Sequence, residues 1–218
     1  MKRTSKVRKT RLLASLLLTL VPALALAAGS GSSGKSSTPP PALPDKAMSP
    51  EEKAEAQKRT GTELYDSGYD EVDRAAEDLE TAVKLEAAGD EKSVKEAKKS
   101  RESAAKRYKK AIDKFKKTTE LLPEFHEAWN MLGYSYRKTG QVGNAYKAYD
   151  TCLKLKPDYE PAHEYLGEAH LVAGNVEKAK VELEWLKSRK SDLASKLEQA
   201  IQSYAAGDSS QAHGGAGW

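Results

Sequence analysis

The sequence predicts an all-α protein in which pairs of helices stack one after another. Between residues 49 and 205, alanine, glutamate, lysine and leucine dominate and β-branched residues are sparse, a composition typical of helices. Proline, which interrupts helices, occurs in this span only at positions 50, 123, 157 and 161. A pattern of small and apolar residues also recurs after 34 residues. The span is long enough for one domain.

The first element along the chain is a predicted secretory signal over residues 1–27. Six basic residues and no acidic one precede an apolar run from Leu12 to about Ala28. The run ends in Ala25-Leu26-Ala27, a small-residue cleavage site, and it is shorter than the roughly 20 residues needed to span a bilayer. We therefore expect cleavage after Ala27 and a periplasmic or secreted protein with no integral membrane segment. An uncleaved anchor helix is the alternative.

The charge and the single cysteine limit the classes of function. The chain has a formal net charge of +4, which falls to about −2 once the six charges of the predicted signal are subtracted. The basic pI of the whole chain is therefore no evidence for a nucleic-acid partner, and we expect no such partner. One thiol, Cys152, cannot form an internal disulfide, so helix packing must supply the stability. We predict that Cys152 is a small buried residue.

Segments poor in apolar residues flank the predicted helical domain, which covers residues 51–205. Residues 28–50 are rich in serine, glycine and proline and predict a disordered linker. Residues 206–218 are similarly polar and glycine-rich, and they predict a disordered tail.

Two long helices are predicted at the start of the domain. Apolar residues at helical spacing predict one helix before the turn at Gly89-Asp90 and another over residues 91–121. The seam residues before the turn are Val72, Ala76, Leu79, Val83 and Ala87, and those after it are Val94, Ala97, Ala104, Tyr108, Ala111 and Phe115. Antiparallel pairing about this turn would bring Ala111 opposite Gly68.

Two helix pairs follow, and they carry the 34-residue recurrence. The predicted helices are 125–138 with 141–154, and 159–172 with 175–187. The matching positions are Leu132 and Leu166, Gly133 and Gly167, Gly140 and Gly174, and Ala145 and Ala179. Gly133 and Ala145 should let their helices approach closely, as should Gly167 and Ala179. A last helix over 191–205, with an apolar stripe through Leu193 and Leu197, should cover the end of the stack.

This pattern resembles the tetratricopeptide repeat, whose Trp, Leu-Gly, Tyr, Ala, Phe, Ala and Pro recur every 34 residues. The first unit, residues 125–157, carries Trp129, Leu132, Gly133, Tyr136, Ala145, Tyr149 and Pro157. The second unit, residues 159–190, departs at His163, His170 and Leu186, and Ser191 follows where proline is usual. The resemblance implies a short α-solenoid with the last helix as its cap.

The resemblance also suggests how the two long helices fit the solenoid. Shifting the pattern back by 34 residues places Ala111, Phe115 and Pro123 in a good second helix. The corresponding first-helix positions, Lys95, Lys98, Lys99 and Glu102, cannot form a core. Our hypothesis is that residues 51–122 are a degenerate, split repeat. Its helices would be about 52–70 and 107–121, with residues 71–106 projecting as a helical hairpin.

The hairpin is strongly charged, which leaves two interpretations open. Residues 91–117 hold twelve basic and four acidic residues, whereas residues 66–90 hold nine acidic and two basic ones. The two arms can pair with each other, which favours register more than stability. Alternatively, the hairpin is an envelope structural or surface-binding element that contacts anionic headgroups or polymer.

No residue pattern predicts an enzyme, a cofactor or a metal site. His163 and His170 are seven residues apart and would share a helix face, but a zinc site would need further ligands at close spacing. We predict partly buried packing for both. No nucleophile arrangement, glycine-rich phosphate loop or paired-carboxylate motif is present, so we expect a non-catalytic protein.

The resemblance implies a concave groove lined by the first helix of each unit, in which a partner peptide or helix lies. By the phase of the repeat, the groove-facing residues are Glu127, Asn130, Tyr134, Arg137, Lys138, Glu164 and Glu168. Asn130 would bond a peptide backbone, Tyr134 would offer a large rigid contact, and Arg137 with Lys138 would hold a carboxylate. Chaperone-binding members use a clamp of lysines and asparagines, which the two glutamates do not reproduce. The expected function is a protein-binding scaffold or adaptor of the bacterial cell envelope.

Overall fold

The computed structural model describes residues 48–207, which form seven α helices and no strand. The helices are α1 Pro50–Ala88, α2 Glu91–Leu121, α3 His126–Lys138, α4 Val142–Leu155, α5 Glu160–Val172, α6 Val176–Ser188 and α7 Leu193–Ala205. The predicted all-α solenoid of helix pairs, with a long hairpin before it and a capping helix after it, is confirmed. The predicted signal, the linker up to residue 47 and the tail from residue 208 lie outside the described residues.

Local hydrogen bonds fix both ends of the helical hairpin α1–α2. Ser49 and Glu52 form a reciprocal capping box: the Glu52 N–H donates to Ser49 Oγ (3.1 Å), and the Ser49 N–H donates to Glu52 Oε2 (2.7 Å). At the other end, Gly89 has a φ of 73°, which stops α1. Asp90 then starts α2 by accepting the Ser93 N–H. The turn therefore lies where Gly89-Asp90 predicted it.

The seam between α1 and α2 is rotated by one residue from the predicted seam on α1. Ala75 and Ala82 are buried beside Val72 and Leu79, whereas Ala76, Val83 and Ala87 are exposed. Val94, predicted in the seam on α2, is exposed as well. These seam predictions were wrong because alanines occupy both candidate stripes, and the smaller Ala82 lets the helices approach more closely than Val83 would.

The hairpin keeps the predicted pairing register, because the Thr118 hydroxyl lies 3.4 Å from the Gly61 carbonyl oxygen, seven residues along each arm from Ala111 and Gly68. A Cβ placed on Gly68 would lie 2.8 Å from the Phe115 ring. Gly61 faces Leu122 in the same way, at 2.6 Å. Glycine at these two positions makes room for large side chains of α2.

The two helix pairs use their central glycines for close packing, but with different partners. A Cβ on Gly133 would lie 2.6 Å from the Tyr149 ring, so α3 and α4 meet at this point. A Cβ on Gly167 would lie 2.5 Å from Leu197, which belongs to α7. Gly167 therefore makes room for a side chain of the capping helix, while Ala179 is fully buried on α6, which packs against α5. The capping helix packs on both α5 and α6.

The same chain-reversal motif ends α3, α5 and α6. The Gln141 N–H donates to Tyr136 O (2.9 Å), and the Asn175 N–H donates to His170 O (2.8 Å). Gly140 and Gly174 supply the positive φ that this motif needs. At the end of α6 Lys190 takes that position, with a φ of 55°.

His163 preserves a hydrogen bond of the first repeat although it replaces a tryptophan. Trp129 Nε1–H donates to the carbonyl oxygen of Pro123 at 2.7 Å. Thirty-four residues later, His163 Nε2 lies 3.0 Å from the carbonyl oxygen of Pro157. The histidine ring is nearly fully buried and stacks on Trp185. The two repeats therefore share an anchor that residue identity alone does not reveal.

Candidate partner-binding groove

The first helices of successive pairs lie side by side and form the inner face of the stack. Helix α3 contacts α1 and α5, and α5 contacts α7. Among the described residues, the backbones of the second helices α2, α4 and α6 do not approach one another within 8 Å between Cα atoms. The stack therefore curves with α3, α5 and α7 on its inner side, where the resemblance placed the groove.

The predicted groove residues on this face bind one another. Arg137, which is 2% exposed, forms an ion pair with the buried Glu168. Glu164 is 1% exposed, and its Oε1 lies 3.0 Å from the ammonium of Lys196 on α7. These pairs connect α3 to α5 and α5 to α7, so they hold the inner face together across three helices.

Three tyrosines surround these charges. The rings of Tyr134 and Tyr165 lie 5.0 Å apart between centroids, and Tyr108 of α2 meets Tyr134 edge-on at 6.1 Å. Cations lie over the rings: Arg137 Cζ is 5.2 Å from the Tyr134 centroid, and Lys138 Nζ is 5.5 Å from it. The resulting inner cluster consists of Tyr108, Tyr134, Arg137, Lys138, Glu164, Tyr165, Glu168 and Lys196.

Burial shifts two pKa values of the inner cluster in opposite directions. Desolvation, followed by the nearby Glu168 carboxylate, raises the pKa of Glu164 to about 8. Desolvation, followed by the neighbouring Arg137 guanidinium, lowers the pKa of Lys138 to about 7. The two groups change charge near neutral pH, which is unusual for a carboxyl or an ammonium group.

The other predicted groove residues are less central. Asn130 is buried on α3, while Glu127 is half-buried and lies 3.0 Å from His126. Tyr134 is half-buried, so part of its large ring remains accessible on this face. The assignment of all seven residues to partner binding stays a prediction.

Sequence reasoning missed Tyr165 and Lys196 and assigned Tyr108 only to the hairpin seam. Tyr165 precedes Glu168 by three residues, and this i, i+3 spacing on α5 is the signal that could have included it. Nothing local marks Lys196, because its contact with Glu164 joins α7 to α5.

A pocket of about 230 Å³ lies where the hairpin meets this face. Tyr108, Tyr134 and Lys138 of the inner cluster form part of its lining. The hairpin supplies the remainder, which is Ala76, Leu79, Glu80 and Val83 of α1. Helix α1 of the hairpin therefore borders the inner face on one side.

A larger pocket of about 570 Å³ lies between α1 and the α2–α3 connection. Its lining is mostly apolar and comprises Lys58, Thr62 and residues 121–125. It includes none of the buried ionisable groups of the inner cluster, so it offers less chemical specificity.

The charged arms of the hairpin pair mainly through arginines. Arg101 makes two 2.7 Å hydrogen bonds to the Glu86 carboxylate. Arg107 contacts Asp78 at 2.8 Å and Glu71 at 3.3 Å. These contacts support the interpretation that the arms pair with each other.

The lysines of α2 behave differently from its arginines. Nine of them are exposed, and none forms an ion pair with a carboxylate in the part of the chain that the structure describes. These lysines are Lys92, Lys95, Lys98, Lys99, Lys106, Lys109, Lys110, Lys116 and Lys117.

The histidines and the cysteine lie in separate packing environments. His163 Nδ1 lies 2.7 Å from Glu182, and His170 Nδ1 lies 3.0 Å from the Tyr146 hydroxyl. Cys152 is fully buried, as predicted, and burial raises its pKa to about 12. Within residues 48–207, no three histidine, cysteine, aspartate or glutamate side chains converge as metal ligands, and no helix is both long and apolar enough to cross a bilayer.

Comparison with known proteins supports the repeat assignment. The sequence profile of the tetratricopeptide repeat matches residues 126–159, which cover α3, α4 and the connection to α5. Searches of curated proteins and of solved structures found no match.

Proposed function

We propose that this tetratricopeptide-repeat protein is a non-catalytic scaffold of the bacterial cell envelope that binds a partner protein on its inner face. Tetratricopeptide repeats generally mediate protein–protein interaction, and one such repeat covers α3 and α4. Export to the envelope follows from the predicted signal over residues 1–27. The partner would be a peptide or helix of an envelope protein.

The inner cluster is the observation that carries this proposal. Burying charged groups is expensive, and apolar residues of similar volume usually stabilise a protein as well or better. The cluster nevertheless buries Arg137, Glu164 and Glu168 on the face that the repeat leaves concave. Ionisable groups with displaced pKa values concentrate at functional sites, which favours recognition over packing as the reason for these residues.

The contacts within the cluster also indicate how a partner would be held. Arg137 already has the Glu168 carboxylate, so a partner carboxylate would have to compete for it. Tyr134 and the 54% exposed side chain of Lys196 are more accessible. Tyrosine supplies a large contact area at low conformational cost. We therefore assign the main contact to Tyr134 and the polar contact to Lys196.

Site-specific photocrosslinking in the native host tests the proposal. A photoreactive residue at position 134 should yield a discrete covalent adduct with one protein. The matched control places the same residue at Val181, which is 66% exposed on the outer helix α6. Equal labelling from both positions, or none from position 134, would contradict binding at the inner face.

A second candidate function is surface binding through the nine exposed lysines of α2. Their lack of carboxylate partners, in contrast to the arginines, favours it. Cosedimentation with phosphatidylglycerol vesicles at low and high salt tests it, because lysine-driven binding should weaken steeply as ionic strength rises. Persistent binding at high salt, or binding equal to that on neutral vesicles, would rule it out.

A further inference from the structure

The ion pairs inside the helical hairpin use only part of its charge. Arg101 and Arg107 pair with three carboxylates of α1. Seven other carboxylates of α1 are exposed and form no ion pair with any residue that the structure describes. They are Glu51, Glu55, Glu63, Asp66, Asp70, Asp73 and Glu77. The charge left unpaired on α1 is therefore acidic, whereas that on α2 consists mainly of the nine exposed lysines.

The seven carboxylates form an acidic stripe along α1. With about 100° per residue, they fall within about 120° around the helix, and they extend over about 39 Å. The acidic stripe lies about half a turn from Gly68 and Ala75, which are buried in the seam, so it points away from α2. Carboxylates three or four residues apart repel each other, and a cationic partner would remove this repulsion.

The nine exposed lysines form a lysine stripe on the opposite edge of the hairpin. They too fall within about 120° around their helix, and they extend over about 38 Å. Ala97 and Phe115, which are buried in the seam, lie about half a turn from this stripe. The hairpin therefore has an acidic outer edge and a basic outer edge of nearly equal length. The two edges of one molecule face away from each other, but they complement those of a second copy.

The two stripes match in an antiparallel register. A second copy shifted sideways brings its α1 against α2 of the first copy, and these helices run in opposite directions, as they do inside the hairpin. Placing Glu77 of one copy opposite Lys95 of the other brings three further carboxylates opposite lysines, because numbering on antiparallel helices advances in opposite directions. These pairs are Asp73 with Lys99, Asp66 with Lys106, and Glu55 with Lys117.

The interruptions of the two stripes match in the same register. Arg59 is an exposed cation on the acidic stripe, and Asp113 is an exposed carboxylate on the lysine stripe. These two residues would face each other. Asp70 would face Glu102, which is a repulsive contact. The attractive contacts therefore outnumber the repulsive ones.

We propose that copies of this protein associate edge to edge, with the acidic stripe of one hairpin on the lysine stripe of the next in the register that pairs Glu77 with Lys95. This inference goes beyond the proposed scaffold function and does not depend on it. Each exposed ion pair is weak by itself, so the contact needs the whole length of both stripes and should be reversible. Because the two surfaces in contact are different, each pair keeps one free stripe at either end, and further copies can add as a row. Such a row would present several inner faces together.

Sedimentation velocity of the purified full chain at low and high salt tests the association. Surface charges interact over about 30 Å at about 0.01 M ionic strength but over only about 3 Å at about 1 M. The wild type should form dimers and larger species at low salt, and self-association should weaken at least about tenfold at high salt. A monomer at low salt, or association that persists at high salt, would contradict the proposal.

Charge reversal locates the contact. D66K/E77K on the acidic stripe and K95E/K106E on the lysine stripe should each weaken self-association at least about tenfold. An equimolar mixture of the two variants should associate again, because the lysine stripe of the first and the acidic stripe of the second are intact. The matched control is E177K/E184K, which makes the same charge change at exposed residues of α6 and should behave as the wild type. All these side chains are exposed, so circular dichroism should show the same helix content in every variant.

A further variant tests the register. D70K removes an acidic charge, yet it should strengthen association because the new lysine would face Glu102. Weaker association of D70K would overturn the proposed register.

Two other results would overturn the edge-to-edge contact itself. One is a mixture of D66K/E77K and K95E/K106E that stays monomeric. The other is a protein whose lysine stripe binds phosphatidylglycerol vesicles while D66K/E77K self-associates like the wild type, because lipid and not a second copy would then be the occupant. Crosslinking from position 134 reports on the inner face, so failure of this contact is distinguishable from failure of the scaffold function.

Discussion

The two sides of α3 are both buried, but by different physical means. Toward α4, Gly133 leaves space that the Tyr149 ring fills, so the contact depends on shape. Toward α5, Arg137 pairs with Glu168, so the contact depends on charges removed from water. The shape-based side should respond little to pH. The stability contributed by the charged side should depend strongly on pH. We expect the shape-based side to serve mainly stability and the charged side to serve recognition as well.

The largest expected effect is on the charged side. E168A would leave Arg137 without its carboxylate in a buried place, and we expect a loss of about 3–5 kcal/mol in the free energy of unfolding. The matched control is E177A, which removes a solvent-exposed ion pair with Lys180 and should change stability by less than about 1 kcal/mol. Urea titration of both variants measures the difference. Similar losses of unfolding free energy in the two variants would show that the buried pair contributes no more than a surface ion pair.

The second prediction concerns pH and follows from the opposite shifts of Glu164 and Lys138. Between its ordinary pKa of 4.5 and about 8, Glu164 holds a proton in the folded state but not in the unfolded state. The free energy of unfolding should therefore fall as pH rises through this window, by at most about 1.4 kcal/mol per pH unit.

Lys138 should reverse this trend at higher pH. Between about 7 and its ordinary pKa of 10.5, the unfolded state binds the proton and the folded state does not, so stability should rise with pH. A minimum near pH 7–8 is the expected result of chemical denaturation across pH. E164Q should flatten the acidic limb only. An unchanged acidic limb in E164Q would place the titration elsewhere.

The third prediction concerns the shape-based side. G133A would place a methyl group 2.6 Å from the Tyr149 ring, so the ring must move, and we expect a loss of about 1–3 kcal/mol. G143A is the control because no atom lies within 4 Å of its added Cβ on α4. It should be neutral or stabilising by about 0.5–1 kcal/mol, because alanine favours helices over glycine. Thermal unfolding of both variants at two pH values would also show whether the G133A effect is independent of pH.

The smallest expected effect is in the hairpin. Glu86 pairs with Arg101 at the surface, and E86Q should reduce stability by less than about 1 kcal/mol. Added salt should reduce this difference further, whereas the effect of E168A should persist because its pair is buried. Comparing both variants at low and high salt would sharpen the contrast between surface and inner pairs. A larger, salt-resistant effect of E86Q would assign the hairpin a structural role beyond register.

Much of the fold could be predicted because its signals are local. Gly89, Gly140 and Gly174 mark helix ends that are set by the left-handed backbone conformation at one residue. The 34-residue recurrence located four of the seven helices, because the same packing positions recur in both units. The side of α3 and α5 that carries Arg137 and Glu168 was predicted from the same repeat phase.

The candidate site was less accessible to the same reasoning. The sequence suggested that Arg137 and Glu168 face the groove, but it could not show that they face each other. Tyr108 and Lys196 join the inner cluster from α2 and α7, outside the repeat that defined the groove. These two contacts depend on where α2 and α7 are placed relative to α3 and α5.

The sequence by itself determined the helices, their ends and the pairing of neighbours, because periodicity and turn residues act over a few positions of the chain. Only the tertiary structure decided which alanine of the pair Ala75 and Ala76 is buried, and that Leu197 rather than Ala179 lies nearest to Gly167. Such choices depend on the rotation and separation of whole helices. Those quantities are set by all the contacts of a helix together, and one segment of sequence does not encode them.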